Sequence, residues 1–250
     1  MTTRHVSELP TGYDYLESIE ADRQALAGIA ADFDLGLRVP SCPDWALKDL
    51  LDHVSGATRW MTKCVAEGVA AQERVLPPAP DGPEELLAWF NESIDVLLTV
   101  LSGTPADALV WTPIRGSLGS VWWRRKAALE VAIHRTDAEQ AIGGSPGHID
   151  PLLALDGIDE YAEEFLPLML HTVAEPPPVT AVLLSPDDID DSRTLSLIPA
   201  GVDADPGEPQ VEITAPAYEL LLWMWNRLPA GTLSVRGDDT VVNWWRGLAI

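Results

Sequence analysis

Apolar residues recur at helical spacing through most of the first half of the chain. Tyr15, Leu16, Ile19, Leu26, Ile29 and Phe33 fall every three or four positions between Asp14 and about Asp32, the signature of an amphipathic helix. Trp45, Leu47, Leu50, Leu51, Val54 and Met61 repeat the pattern, with Asp44 in place to cap the N-terminus of a second helix. Pro77, Pro78, Pro80 and Gly82 then interrupt it. Pro83 suits the first turn of a third helix, where no backbone N–H is needed. That helix carries Leu86, Leu87, Phe90, Ile94, Leu97, Leu98 and Leu101. A loop with Pro105, Pro113, Gly116 and Gly119 leads into a fourth helix, from about Ser120 to Ile142, which Gly143 and Gly144 terminate. Four amphipathic helices of this length predict an antiparallel four-helix bundle.

The pattern changes near Gly147. A helix over about 150–171 is followed by Pro176, Pro177 and Pro178, then by short runs of strand character at 179–184, 194–198 and 211–214. The acidic stretches 187–191 and 203–208 read as turns. Residues 217–228 read as a helix, 233–236 as a strand and 239–248 as a helix. The expected architecture is α+β: a helical bundle over 1–147 and a small α+β domain over 148–250.

The fourth helix carries an unusual stripe. Glu130 and His134 are four residues apart, so their side chains lie about 40° apart around the axis, one turn along it. Trp123, Lys126, Ile133 and Asp137 share that face. On the second helix, His53 has Asp49, Gly56, Ala57, Trp60 and Cys64 beside it, and the two small residues leave room at the imidazole. A polar stripe inside a bundle is costly unless it is paired or metal-bound. One divalent metal held by His53, Glu130 and His134 resolves that cost. Three protein ligands leave a coordination position open, the pattern of a catalytic site. Zn²⁺ suits two imidazoles and a carboxylate, and other divalent ions fit as well. Asp137, one turn past His134, is placed to hold an imidazole N–H. The structural alternative is a Glu130–Lys126 pair on one helix face with His53 as a satisfied core histidine. The remaining three of the five histidines are weaker candidates: His5 in a terminal arm, His148 in the interdomain loop and His171 at a helix end. Neither the His-Glu-x-x-His motif of zinc proteases nor the Glu-x-x-His of di-iron bundles is present.

Composition narrows the function classes. A net charge of −23 argues against nucleic acid, whose phosphates need clustered Lys and Arg. No apolar run of membrane-spanning length and no leader pattern is evident, so a cytoplasmic protein without a membrane partner is expected. Cys42 and Cys64 are the only cysteines; thiols in a reducing compartment and small buried hydrophobes are their expected roles. No Ser, Thr or Cys lies in a nucleophile motif, and Gly-rich phosphate loops are absent.

The stretch Val39-Pro40-Ser41-Cys42-Pro43-Asp44-Trp45 followed by Leu50-Leu51-Asp52-His53 resembles the first metal-ligand motif of the mycothiol-dependent maleylpyruvate isomerase family. Trp123-Arg124-Arg125 through Glu130, then His134-Arg135-Thr136-Asp137-Ala138-Glu139, is similar to its second metal motif. The run from Ala215 to Arg227, with Val235-Arg236-Gly237-Asp238, is similar to its C-terminal domain. The resemblance implies a DinB-like bundle with a C-terminal α+β domain, His53, Glu130 and His134 as ligands of zinc, and mycothiol as thiol cofactor. Leu129 departs from it, since many members have a histidine there.

A metal-bound thiol gives up its proton, which supplies the nucleophile that the chain's own cysteines do not. The implied reaction is addition of the thiolate to an electrophilic alkene, bond rotation and elimination: a cis–trans isomerisation. The alternative is an S-transferase that keeps the adduct, in detoxification or secondary-metabolite biosynthesis; an alternative of another class is a non-catalytic small-molecule-binding module. Arg227 is the candidate catalytic residue for pairing with an anionic substrate, against a plain helix-end role. Trp60, Trp123 and Arg135 are the candidates for contacting the thiol cofactor.

Overall fold

A computed structural model describes residues 13–68, 77–114, 116–171, 173, 175–199 and 201–248. They divide into two compact units, Asp14–Gly147 and one formed by Tyr13 with the residues from His148 onward.

The first unit holds four long helices: α1 (Tyr15–Asp32), α2 (Leu47–Glu67), α3 (Pro83–Gly103) and α4 (Val121–Ala141). The main packing pairs are α1 with α4, α4 with α2, α2 with α3 and α3 with α1. The ring order therefore puts α1 opposite α2 and α3 opposite α4. Two connections cross the bundle diagonally, 33–46 and 104–120, and both are long, as crossover connections must be. This crossing makes α2 and α4 neighbours. Ile19, Leu50, Val54, Phe90, Ile94, Leu97, Ala128 and Val131 meet in the core and are almost fully buried. Among the described residues, α3 alone is long and apolar enough to cross a membrane, a feature the sequence pattern had not suggested. It nonetheless sinks Leu86, Phe90, Ile94, Leu97 and Leu101 into the bundle, as a core helix does.

The helix ends show where local chemistry was readable. Asp14 caps α1, its carboxylate accepting from the N–H groups of Leu16 and Glu17 at 3.1 Å each. Gly143, at φ +78°, and Gly144, whose N–H donates to the Glu139 carbonyl at 2.9 Å, close α4 as expected. Asp44, in contrast, does not cap α2. Backbone bonds from Val39 N–H to the Trp45 carbonyl and from Leu47 N–H to the Leu37 carbonyl hold that segment as a closed loop. The helix starts only at Leu47, and Asp49 reaches back to accept the Ala46 N–H at 2.8 Å. The loop before α4 contains an antiparallel hairpin, β1 (Leu109–Thr112) and β2 (Gly116–Gly119). Its second strand, Gly-Ser-Leu-Gly, has little strand propensity of its own, so the pairing was not visible in sequence.

In the second unit α5 (Pro151–Glu160) runs through a π-helical turn, Tyr161–Phe165, into α6 (Leu166–Leu170). Leu166 N–H donates to the Tyr161 carbonyl, five residues back. Pro167 gives the reason: it has no N–H, and its ring would clash with the carbonyl four residues earlier. A four-stranded mixed sheet follows, of β3 (Thr180–Pro186), β4 (Arg193–Leu197), β5 (Val211–Ala215) and β6 (Ser234–Gly237). The strand order is β4-β3-β5-β6, with β3 and β5 parallel and the outer pairs antiparallel. Val211, Ile213 and Ala215 are buried while Glu212 and Thr214 are not, the period-two signature of a strand. Helix α7 (Ala217–Met224) packs on β3, β5 and α5. It ends before Leu228 because Asn226 adopts φ +56° and turns the chain. Helix α8 (Thr240–Trp245) closes the described chain.

Candidate metal centre

Helices α2 and α4 run antiparallel. His53 faces Glu130, and seven residues on in α2 Trp60 meets Trp123, seven residues back in α4, with ring centroids 5.4 Å apart. Seven residues are about two turns, so each helix presents the same face at both levels. One seam therefore carries a polar level and, about 10 Å along it, an aromatic level.

At the polar level, His53 Nε2 lies 3.1 Å from Glu130 Oε1 and His134 Nε2 lies 3.7 Å from the same oxygen. The three ligand atoms are all within 4.8 Å of one another. Ligands around a tetrahedral zinc, at bonds of about 2.0–2.1 Å, would be roughly 3.3 Å apart. The cluster is thus of the right size and donor chemistry for one divalent ion. Side-chain exposure falls from 34% at His53 to 18% at Glu130 and 9% at His134, so the cluster is open on the His53 side and closed behind His134. Burial pushes the Glu130 carboxyl up. The hydrogen bond with His53 and the electrostatic pull of His134, His53 and Lys126 together outweigh it and hold the group at about 2.

The closed side is tied down. His134 Nδ1 is 2.9 Å from Asp137 Oδ2, and Asp137 is fully buried. That contact favours the tautomer with its proton on Nδ1, leaving the Nε2 lone pair for the centre. The Ser41 hydroxyl donates to the other oxygen, Asp137 Oδ1. The Trp45 ring lies 4.7 Å from the His53 ring and 6.1 Å from that of His134, centroid to centroid. Sequence reasoning placed Asp137 but missed Ser41 and Trp45 as site residues. Both belong to the Pro-rich stretch ahead of α2, but nothing in that stretch says that it folds back over both ligand helices.

Both imidazoles lie against Glu130, and Lys126 adds the pull of its charge. A histidine one-third exposed is not a core histidine. His148 lies against Tyr218, 5.4 Å between rings, and His171 Nδ1 contacts the Pro167 carbonyl at 2.7 Å; neither joins the cluster. His5 lies outside the described residues.

The aromatic level groups Trp60 and Trp123 with Trp111 of β1. The Trp60 and Trp111 ring centroids are 6.5 Å apart, and the buried Trp123 indole donates to the Trp111 carbonyl at 2.9 Å. Arg135 follows His134 by one residue and turns to α1 instead. It donates to Asp22 at 2.7 Å and to both oxygens of Glu139 at 2.9 Å, with 6% of its side chain exposed. Leu129 is buried. Arg227 belongs to the other unit, where it donates to the Trp225 carbonyl at 2.8 Å and lies 5.7 Å from the Trp225 ring.

Residues 16–139 match a family described as the mycothiol maleylpyruvate isomerase N-terminal domain, and residues 153–243 match the MDMPI C-terminal domain. The fold is similar to the crystal structure of the mycothiol-dependent maleylpyruvate isomerase, with a TM-score of 0.64 and 13% identity, covering 90% of this chain and 92% of that one. It is equally similar to a histidine-to-alanine mutant of that enzyme, with a TM-score of 0.63, 14% identity and the same coverage. At such identities the likeness is one of fold. No curated protein matches. With one family domain over the helical unit and the other over most of the α+β unit, the chain belongs to the mycothiol maleylpyruvate isomerase family.

Proposed function

We propose that this chain is a metal-dependent enzyme that uses mycothiol as a thiol cofactor and isomerises a small cis alkene conjugated to a carbonyl. The observation that carries the reading is the convergence of His53, Glu130 and His134 on one point, open on one side, in a bundle of this family. Zn²⁺ is the ion we expect. When bound, the ion supplies a thiolate at neutral pH by displacing the proton of a coordinated thiol.

The rest is done by the chain itself. His53, Glu130 and His134 would hold the ion; Asp137 orients His134 and the Trp45 ring backs His53. The exposed edge of His53 is where small molecules reach the centre. Trp60 and Trp123 are proposed to contact the thiol from the aromatic level. Arg227 is proposed to pair with an anionic group of the substrate, its guanidinium steadied by the Trp225 carbonyl and ring. Cys42 and Cys64, both thiols, fit a reducing, cytoplasmic setting.

The test is to incubate the metal-loaded protein with mycothiol and a cis-enone diacid. Trans product with the thiol unconsumed supports the isomerase. A stable thioether assigns the chain to S-transfer instead. No conversion, with both compounds still bound, would make it a binding module.

A further inference from the structure

We propose that Ser41 is a positioning residue of the metal centre: by donating to Asp137, its hydroxyl holds the carboxylate that keeps the His134 proton on Nδ1 and its Nε2 lone pair aimed at the ion. The inference rests on the metal reading above and assigns a role to a residue outside both ligand helices.

Three observations carry it. Asp137 is fully buried and both of its oxygens are engaged at the site, Oδ1 by Ser41 and Oδ2 by His134. Each hydrogen bond to a buried carboxylate narrows the orientations it can take, and Ser41 supplies one of those on Asp137. Ser41 is itself held. It sits in a loop closed by Val39 N–H to the Trp45 carbonyl at 3.1 Å, Cys42 N–H to the Val39 carbonyl at 3.1 Å and Trp45 N–H to the Cys42 carbonyl at 2.8 Å. That same loop delivers the Trp45 ring to His53. One short segment thus bears on both imidazoles, on His134 through a hydrogen-bond chain and on His53 through ring contact. Such outer partners of metal ligands typically change metal affinity by about 10–100-fold when removed.

A purely structural Ser41, pinning the loop to α4, would affect stability and nothing else. Two readouts separate the roles, each measured on wild type, Ser41→Ala and Ser41→Thr. Ser41 is half-buried, so the threonine methyl can be accommodated while the hydroxyl is kept. In the metal-free protein, imidazole ¹⁵N NMR should show His134 as the Nδ1–H tautomer in wild type and Ser41→Thr, and as a mixture in Ser41→Ala. In competition titrations of Zn²⁺ or Co²⁺ against a chelating indicator, Ser41→Ala should bind about tenfold more weakly than wild type, and Ser41→Thr as wild type does. Wild-type tautomer and affinity in Ser41→Ala would overturn the proposal, as would Ser41→Thr losing as much as Ser41→Ala. If wild type takes up no divalent ion, the metal reading fails by itself, and the tautomer readout still decides whether Ser41 governs His134.

Discussion

His53 Nε2 and Glu130 Oε1 stand 3.1 Å apart across two helices, although 77 residues separate them in the chain. The contact exists because the diagonal connections 33–46 and 104–120 seat α2 beside α4. It brings a one-third-exposed imidazole to a carboxylate that already has His134 on its own helix.

The purified protein should carry about one divalent ion per chain, and His53→Ala or His134→Ala should abolish its retention on dialysis. Elemental analysis checks this directly. Stripping the ion with a chelator should lower the melting temperature, and re-addition at a hundredfold excess over Kd should restore about 2.7 kcal/mol. Equal melting curves with and without metal would contradict the assignment.

Trp45→Ala should loosen His53 more than His134, because the Trp45 ring is nearer to His53, at 4.7 Å against 6.1 Å, and His134 has Asp137 besides. Metal affinity should fall several-fold, and Trp45→Phe should recover most of it. The same titration reads both variants. Unchanged affinity in Trp45→Ala would remove Trp45 from the site.

Arg135→Met should destabilise the helical unit by about 3–5 kcal/mol, the range for removing one partner of a buried ion pair. Asp22 and Glu139 would be left without their main cation. Burial already pushes the Asp22 carboxyl up, with the Arg135 charge and hydrogen bond opposing it. Adding Asp22→Asn should return part of the loss in denaturant titrations. If Arg135→Met melts like wild type but raises KM for mycothiol, Arg135 serves the thiol and not the bundle.

Alkaline pH should weaken the second unit through Tyr161. Burial pushes its hydroxyl above the ordinary tyrosine value, against the pull of the Arg227 charge, and the O–H donates to Met169 Sδ at 3.1 Å. An acid whose folded pKa is raised favours the fold while protonated. Its contribution is complete below about pH 10, the unfolded value, and is lost as pH rises towards the folded one. Tyr161→Phe should therefore show a shallower fall in stability above about pH 10. Parallel curves for the two proteins would show that Tyr161 carries none of it.

The sequence by itself determined the elements and part of the chemistry. Helical spacing from Tyr15 to Leu101 and from Ser120 to Ile142 located all four bundle helices, because a buried stripe must recur every 3.6 residues whatever it packs on. The strand character of 211–214 did the same for β5. Glu130, His134 and Asp137 were legible together because a single helix sets their spacing. The tertiary structure alone decided what lies beside what. It put α2 next to α4, set His53 against Glu130, folded Ser41 and Trp45 onto the two imidazoles, and turned Arg135 away to Asp22. It also paired the Gly-rich β2 with β1 and opened a π turn ahead of Pro167. The physical reason is one of range. Periodicity and capping are set by neighbours within a turn or two, whereas these contacts join residues far apart in the chain, and only the packing of the whole unit chooses among the pairings that local rules allow.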